Sequence, residues 1–261
     1  MMKVVILAGG FGTRISEESQ FKPKPMVDLG GLPILLHIMK IYSHYGFKKF
    51  IICAGYKQHV IKEYFADYFL YTSDITFNFS NGSSEMTVHH THSEDWEVTV
   101  VDTGLNTMTG GRVKRVKEYI GNDPFMLTYG DGVADIPIDK LVEYHKKHGK
   151  LVTISAYNAG QRFGVLDIDE NNMVNDFREK TQGDGNMINI GYMVCQPEFI
   201  GYIENDATVL EKEPLEKAAR DRQLIAYKHQ GFWQCMDTVR EKQELEKLWT
   251  AGKAPWKVWE E

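Results

Sequence analysis

Short apolar runs alternating with amphipathic stretches dominate the first half of the chain. Lys3–Ala8 and Phe50–Ala54 are β-rich apolar runs too short for helices, and they predict buried strands. Between them Pro33 opens a segment with Ile34, Ile38, Ile41 and Tyr45 on one face, which predicts a helix with proline in its first turn. Phe125–Tyr129 predicts a further strand ending at Gly130-Asp131-Gly132, and Leu141, Tyr144, His145 and His148 carry helical spacing across Asp139–His148. Such alternation up to about Gly149 implies βαβ units on a largely parallel sheet. From Leu151 to about Val194 the texture changes. The runs Leu151–Tyr157, Val165–Ile168 and Ile188–Val194 are separated by Gly, Asn and Asp turns, which predicts strands without long crossovers. Thr238-Val239-Arg240-Glu241 fits a capping box and predicts a helix running towards Gly252.

With 261 residues, 43% hydrophobic and 25% charged, the chain suits one elaborated α/β domain with a substantial core. Its apolar stretches are too short to cross a bilayer, so no membrane association is expected. The opening apolar run passes straight into Gly9-Gly10-Phe11-Gly12 without a small-residue cleavage site, which reads as the first strand of a cytoplasmic protein. Lys and Arg are scattered and the formal charge is −6, so nucleic acid is disfavoured and a small-molecule ligand is expected. Cys53, Cys195 and Cys235 are odd in number and far apart, which suits reduced structural thiols.

The segment Leu7-Ala8-Gly9-Gly10-Phe11-Gly12-Thr13-Arg14 places a glycine-rich turn directly after a strand. Successive N–H groups there can cradle a phosphate while Arg14 forks onto its oxygens; a plain tight turn is the alternative. Ile15 stands where a dinucleotide fingerprint needs glycine, and no Gly-Lys-Ser/Thr ending makes a P-loop. Lys22-Pro23-Lys24-Pro25-Met26 follows, its prolines holding two cations on a short rigid stretch. Lysines are ordinarily solvated surface, but rigidity and nearness to Arg14 favour a site. His89, His90 and His92 lack metal-ligand spacing, and the region from Tyr71 to Trp96 reads as a β-rich insertion used in subunit contact. Trp256 and Trp259 read as an apolar anchor.

Leu7–Arg14 followed by Lys22–Met26 resembles the signature of the sugar-1-phosphate nucleotidyltransferases. Val100–Gly104, Met108–Arg112, Thr128–Asp135, Arg162-Phe163-Gly164, Gly231–Thr238 and Gly252–Lys257 extend the similarity over nearly the whole chain. The resemblance implies a Rossmann-like, mostly parallel α/β sheet with an added β-rich sugar-binding part, a nucleotide-binding half over about 1–150 and a sugar-binding half with the C-terminal helix over about 151–261. It implies transfer of CMP from CTP to α-D-glucose 1-phosphate with Mg²⁺, in a homo-oligomer.

By the same resemblance Arg14 and Lys24 are the catalytic cations, and Asp131 and Asp237 the metal ligands. Hard carboxylate oxygens suit Mg²⁺, although an Asp at a strand end is commonly a turn or cap residue. Leu7, Ala8, Gly9, Gly10, Phe11, Gly12, Thr13 and Gly130 would surround the nucleotide, with Asn106 and Gly111 on the base. Gly164, Glu179, Lys180 and Asn189 would line the sugar pocket. Thr181 and Ile190 depart from the usual pattern on that side, so the same chemistry with UTP, dTTP or another hexose 1-phosphate stays open. A catalytically silent nucleotide-binding subunit is the alternative of another class, and retention of Arg14, Lys24, Asp131 and Asp237 speaks against it.

Overall fold

The computed structural model describes residues 2–82, 84–158, 165–178 and 187–260. In chain order its main elements are β1 (Val4–Ala8), α1 (Ile34–His44), β2 (Lys49–Ala54), α2 (Gln58–Ala66), β3 (Glu97–Asp102), α3 (Thr109–Arg115), β4 (Phe125–Tyr129), α4 (Ile138–His148), β5 (Val152–Asn158), β6 (Met187–Cys195), α5 (Glu213–Arg220), β7 (Leu224–His229) and α6 (Val239–Thr250). The seven strands form one sheet in the order β3-β2-β1-β4-β6-β5-β7, in which β6 alone runs antiparallel. Strand order reverses between β1 and β4, and open α/β sheets bind ligands at the carboxyl ends of strands at such a switch point.

Alternation along β1 divides the core. Val4, Ile6 and Ala8 face a cluster that includes Ile34, Leu35, Ile38 and Ile41 of α1, whereas Val5 and Leu7 face one that includes Val113 of α3 and Leu215 of α5. A strand buried on both faces must be apolar throughout, which is why Val4–Ala8 reads as an uninterrupted run. Helix α1 starts at Ile34, so Pro33 stands at its N-cap, one position before the first turn in which it is expected, and Tyr45 is the C-cap.

Strands without long crossovers are expected from Leu151 to about Val194. β5 and β6 are antiparallel neighbours, as that expectation requires. β6 runs back along β5 and ends beside its start, so β7, which pairs parallel to β5, begins at that same end, with α5 in the connection between β6 and β7. The 71–96 region holds an antiparallel hairpin, Ser73–Asn78 with Glu85–Thr91, outside the main sheet. It exposes Phe77, Phe79, Met86 and Val88. Among the described residues no helix is long and apolar enough to cross a membrane.

The C-terminal segment packs on α1. Trp256 is fully buried and its indole N–H donates to His37 Nδ1 at 3.3 Å. The His37 proton therefore sits on Nε2, which donates to the Leu29 carbonyl at 2.7 Å. Burial pulls the His37 pKa down to about 4, so the ring is neutral near pH 7.

Candidate active site

The turn after β1, the turn after β4 and the loop before α3 enclose a cavity of about 550 Å³, within the usual range for small-molecule sites. All eight residues from Leu7 to Arg14 line it, with Lys24, Asn106, Gly130, Asp131 and Asp237.

Asp131 and Asp237 meet because of a local pairing. Gly132–Ala134 runs antiparallel to Trp233–Cys235, and Met236 N–H donates to the Asp131 carbonyl at 2.8 Å, so the residues flanking that small ladder stand together. The capping box then pins the second aspartate. Glu241 accepts from the backbone N–H groups of Asp237 and Thr238 at 2.9 Å, while Thr238 Oγ1 accepts from Glu241 N–H. Asp237 is thus held at the mouth of α6.

Lys24 follows Pro23 into a single 3₁₀ turn. Its ammonium bonds Asp131 Oδ2 at 2.5 Å and also Asp237 Oδ1. Arg14 reaches Asp237 Oδ2 at 2.5 Å, with its side chain 74% exposed against 12% for Lys24. Burial alone would lower the Lys24 pKa, but the two carboxylates outweigh it and raise the value above 10.5, so the ammonium is charged at any working pH. Lys22 points elsewhere, onto Asp28 at 2.5 Å.

Arg112, which sequence reasoning left without a role, ties the two glycine-bearing segments together. Its Nη1 donates to Thr103 Oγ1 at 2.7 Å and the Gly104 carbonyl at 2.8 Å, and its Nη2 to the Gly9 carbonyl at 3.0 Å and the Leu105 carbonyl at 3.3 Å. The guanidinium, buried with its residue 4% exposed, is satisfied by backbone carbonyls and the Thr103 hydroxyl. Gly9 is required by that packing, since a Cβ there would lie 2.1 Å from Arg112 Nη1. Absence of a side chain at Gly9 therefore serves the arginine as well as any phosphate.

Gly111 is not placed as expected. It does not line the cavity; it packs behind α3, where a Cβ would lie 2.6 Å from Asp206 Cα. Carbonyls of the 206–208 loop accept the N–H groups of Met108, Gly110 and Gly111, closing the start of a helix whose own N-cap side chain makes no capping bond. The geometry brings Leu105, Thr107, Met108 and Thr109, rather than Gly111, to the cavity wall beside Asn106.

Asn189 lies beside the cavity, its amide donating to Tyr129 Oη at 3.4 Å, and Tyr129 lines the wall. Gly164, Glu179 and Lys180 lie outside the described residues, as does Thr181. His89 and His90 are exposed on the hairpin. Cys53, Cys195 and Cys235 are buried free thiols.

The cavity is polarised. Arg14, Lys24, Asp131 and Asp237 gather at one end, whereas the lip from Leu105 to Thr109 carries no charged side chain. Such a cavity can hold a polyanion at one end and an uncharged ring at the other.

The sequence model of the family described as "Nucleotidyl transferase" matches residues 3–238. A glucose-1-phosphate cytidylyltransferase of Salmonella typhi is 57% identical over 260 residues, covering 99% of this chain and 100% of that one. A protein of Bacillus subtilis named "Probable glucose-1-phosphate cytidylyltransferase" is 43% identical over 259 residues, covering 99% and 100%. Among solved structures, the inositol-1-phosphate CTP transferase from T. maritima superposes with a TM-score of 0.75 at 14% identity, covering 99% of this chain and 98% of that one, which is a likeness of fold.

Proposed function

The chain belongs to the nucleotidyl transferase family, and from that premise we propose that it transfers CMP from CTP to α-D-glucose 1-phosphate, forming CDP-glucose and pyrophosphate. One observation carries the reading: Arg14, Lys24, Asp131 and Asp237 converge beside the Gly9–Thr13 turn at the switch point of the sheet. The names and full-length coverage of the Salmonella typhi and Bacillus subtilis relatives support the choice of nucleotide and sugar.

In the reaction an oxygen of the sugar phosphate attacks the α-phosphorus of CTP, and the bond to pyrophosphate breaks. The attacking oxygen is already anionic, so no side chain has to remove a proton. What the protein supplies is position and charge. Arg14 forks onto the departing pyrophosphate, and N–H groups of the glycine turn cradle the triphosphate. Lys24 leaves the carboxylates for the α-phosphate, where it draws the two polyanions together. Asn106 and the uncharged lip take the base, and Asn189 lies towards the hexose together with Gly164, Glu179 and Lys180.

Mg²⁺ belongs to the reading. Asp131 and Asp237 place hard oxygens around one ammonium, which is the charge and donor set a small cation needs. Among the described residues no third His, Cys, Asp or Glu joins them, which suits an ion that keeps water and takes phosphate oxygens. Asp131 and Asp237 would hold it, and when bound it neutralises phosphoryl charge.

We place self-association at the exposed hairpin and the enzyme in the cytoplasm, where its three buried thiols stay reduced. The test of function is product identity. Purified protein with CTP, glucose 1-phosphate and Mg²⁺ yields CDP-glucose and pyrophosphate in equal amounts by ³¹P NMR; formation of neither product refutes the reading.

A further inference from the structure

Glu211 lies in the loop between β6 and α5, behind the cavity wall. Each of its carboxylate oxygens accepts a hydrogen bond from a residue that lines the cavity. Tyr129 Oη donates to Oε1 at 2.5 Å, and Thr109 Oγ1 donates to Oε2 at 2.7 Å. Thr109 Oγ1 in turn accepts from Leu210 N–H at 2.9 Å, so its position is fixed from two sides. A carboxylate can only accept hydrogen bonds, whereas a hydroxyl has one proton and two lone pairs. Both hydroxyl protons are therefore committed to Glu211, and Thr109 Oγ1 keeps one lone pair.

Thr109 lines the cavity with Leu105, Asn106, Thr107 and Met108, none of which is charged, whereas Lys24, Asp131, Asp237 and Arg14 form the ion-pair cluster on the same cavity. With the triphosphate at the charged end, the ring of the nucleotide lies at this lip. Cytosine carries an amino donor where uracil carries a carbonyl acceptor. A lone pair offered by Thr109 matches the first and opposes the second.

We propose that Glu211 determines base specificity as a positioning residue: by holding the Thr109 hydroxyl as an acceptor, it selects a pyrimidine nucleotide with an exocyclic amino group. The proposal rests on the CTP-dependent transfer proposed above. Glutamine at this place offers one oxygen and one NH₂ group to the same two hydroxyls. The amide NH₂ then donates to Thr109, whose own proton turns towards the cavity and meets a carbonyl.

The experiment compares kcat/KM for CTP and UTP in the wild type, Glu211→Gln and Thr109→Val, at saturating glucose 1-phosphate. A ratio is read because a general loss of active protein cancels from it. Glu211→Gln lowers the CTP/UTP ratio at least tenfold, with the UTP value kept or raised. Thr109→Val lowers the ratio by losing CTP efficiency alone. If Glu211→Gln keeps the wild-type ratio, the proposal is overturned whatever the Thr109 variant does. Should Glu211→Gln fail to fold, a wild-type ratio in Thr109→Val overturns it equally. A wild type without preference for CTP removes the CTP reading itself, which is a separate outcome visible before any variant is made.

Discussion

Replacing Lys24 by methionine keeps the length of the side chain and removes its charge, and the structure sets what this should cost. The ammonium, on a side chain 12% exposed, bonds both Asp131 and Asp237, and the proposed reaction moves it onto the α-phosphate. Loss of one preorganised charge contact to a reacting group lowers turnover by about 10²–10³. Lys22 provides the internal control. It is separated from Lys24 only by Pro23, yet its ammonium binds Asp28, a half-exposed carboxylate that does not line the cavity. Ion pairs of that kind contribute about 0–1 kcal/mol to stability and nothing to the reacting centre. The assay is steady-state pyrophosphate release at saturating CTP and glucose 1-phosphate for Lys24→Met and Lys22→Met, with thermal unfolding to show that both fold. Equal losses, or a larger loss for Lys22→Met, would refute the assignment of Lys24.

Asp131→Asn and Asp237→Asn each keep shape and remove a charged oxygen, so each should fold and lose about 10²–10³ in kcat; near-normal pyrophosphate release by either takes that residue out of the mechanism. Gly9→Ala drives a methyl group against the Arg112 guanidinium, where a Cβ would lie 2.1 Å from Nη1. It should lower Tm and raise KM for CTP together, by displacing the bonds from Arg112 to Gly9 and Leu105; unchanged values of both would contradict this packing. His37 and His145 are fully buried, and burial lowers each pKa to about 4 from 6.5. The unfolded chain therefore binds protons that the folded chain refuses, and the stability each ring contributes is present above pH 6.5 and lost as pH falls towards 4, by at most about 3 kcal/mol each. Denaturant unfolding from pH 7.5 to 4.5 should show this slope, and His145→Gln should flatten it; an equal slope in the variant would count against the neutral buried ring.

How legible the fold was in the sequence depended on how local each cause is. β1 and the glycine turn after it are local, as is the Thr238–Glu241 capping box, and all three stand where the pattern puts them. β7 and α5 were not anticipated, because Leu224–His229 is a short run whose strand character comes from pairing with β5. Gly111 was assigned to the base because it stands in a glycine-bearing loop, whereas its neighbour is Asp206, far along the chain. Arg112 and Glu211 escaped for the same reason. Their partners are backbone oxygens and hydroxyls brought near by folding, and no spacing in the sequence encodes them. Arg14 is legible in the glycine-rich turn itself, the resemblance singles out Lys24, Asp131 and Asp237, and the pairing of Gly132–Ala134 with Trp233–Cys235 is the physical reason that the two aspartates meet.

The central claim is that the polarised cavity selects CTP for transfer to a sugar phosphate. Its most direct test is kcat/KM for CTP, UTP, dTTP, ATP and GTP with saturating glucose 1-phosphate and Mg²⁺, read as pyrophosphate release. The account predicts that CTP is preferred over UTP by a large factor, since polar mismatches in a buried site can reach about 10⁴ in specificity. Use of UTP as efficiently as CTP would contradict it and leave the family chemistry without the base assignment.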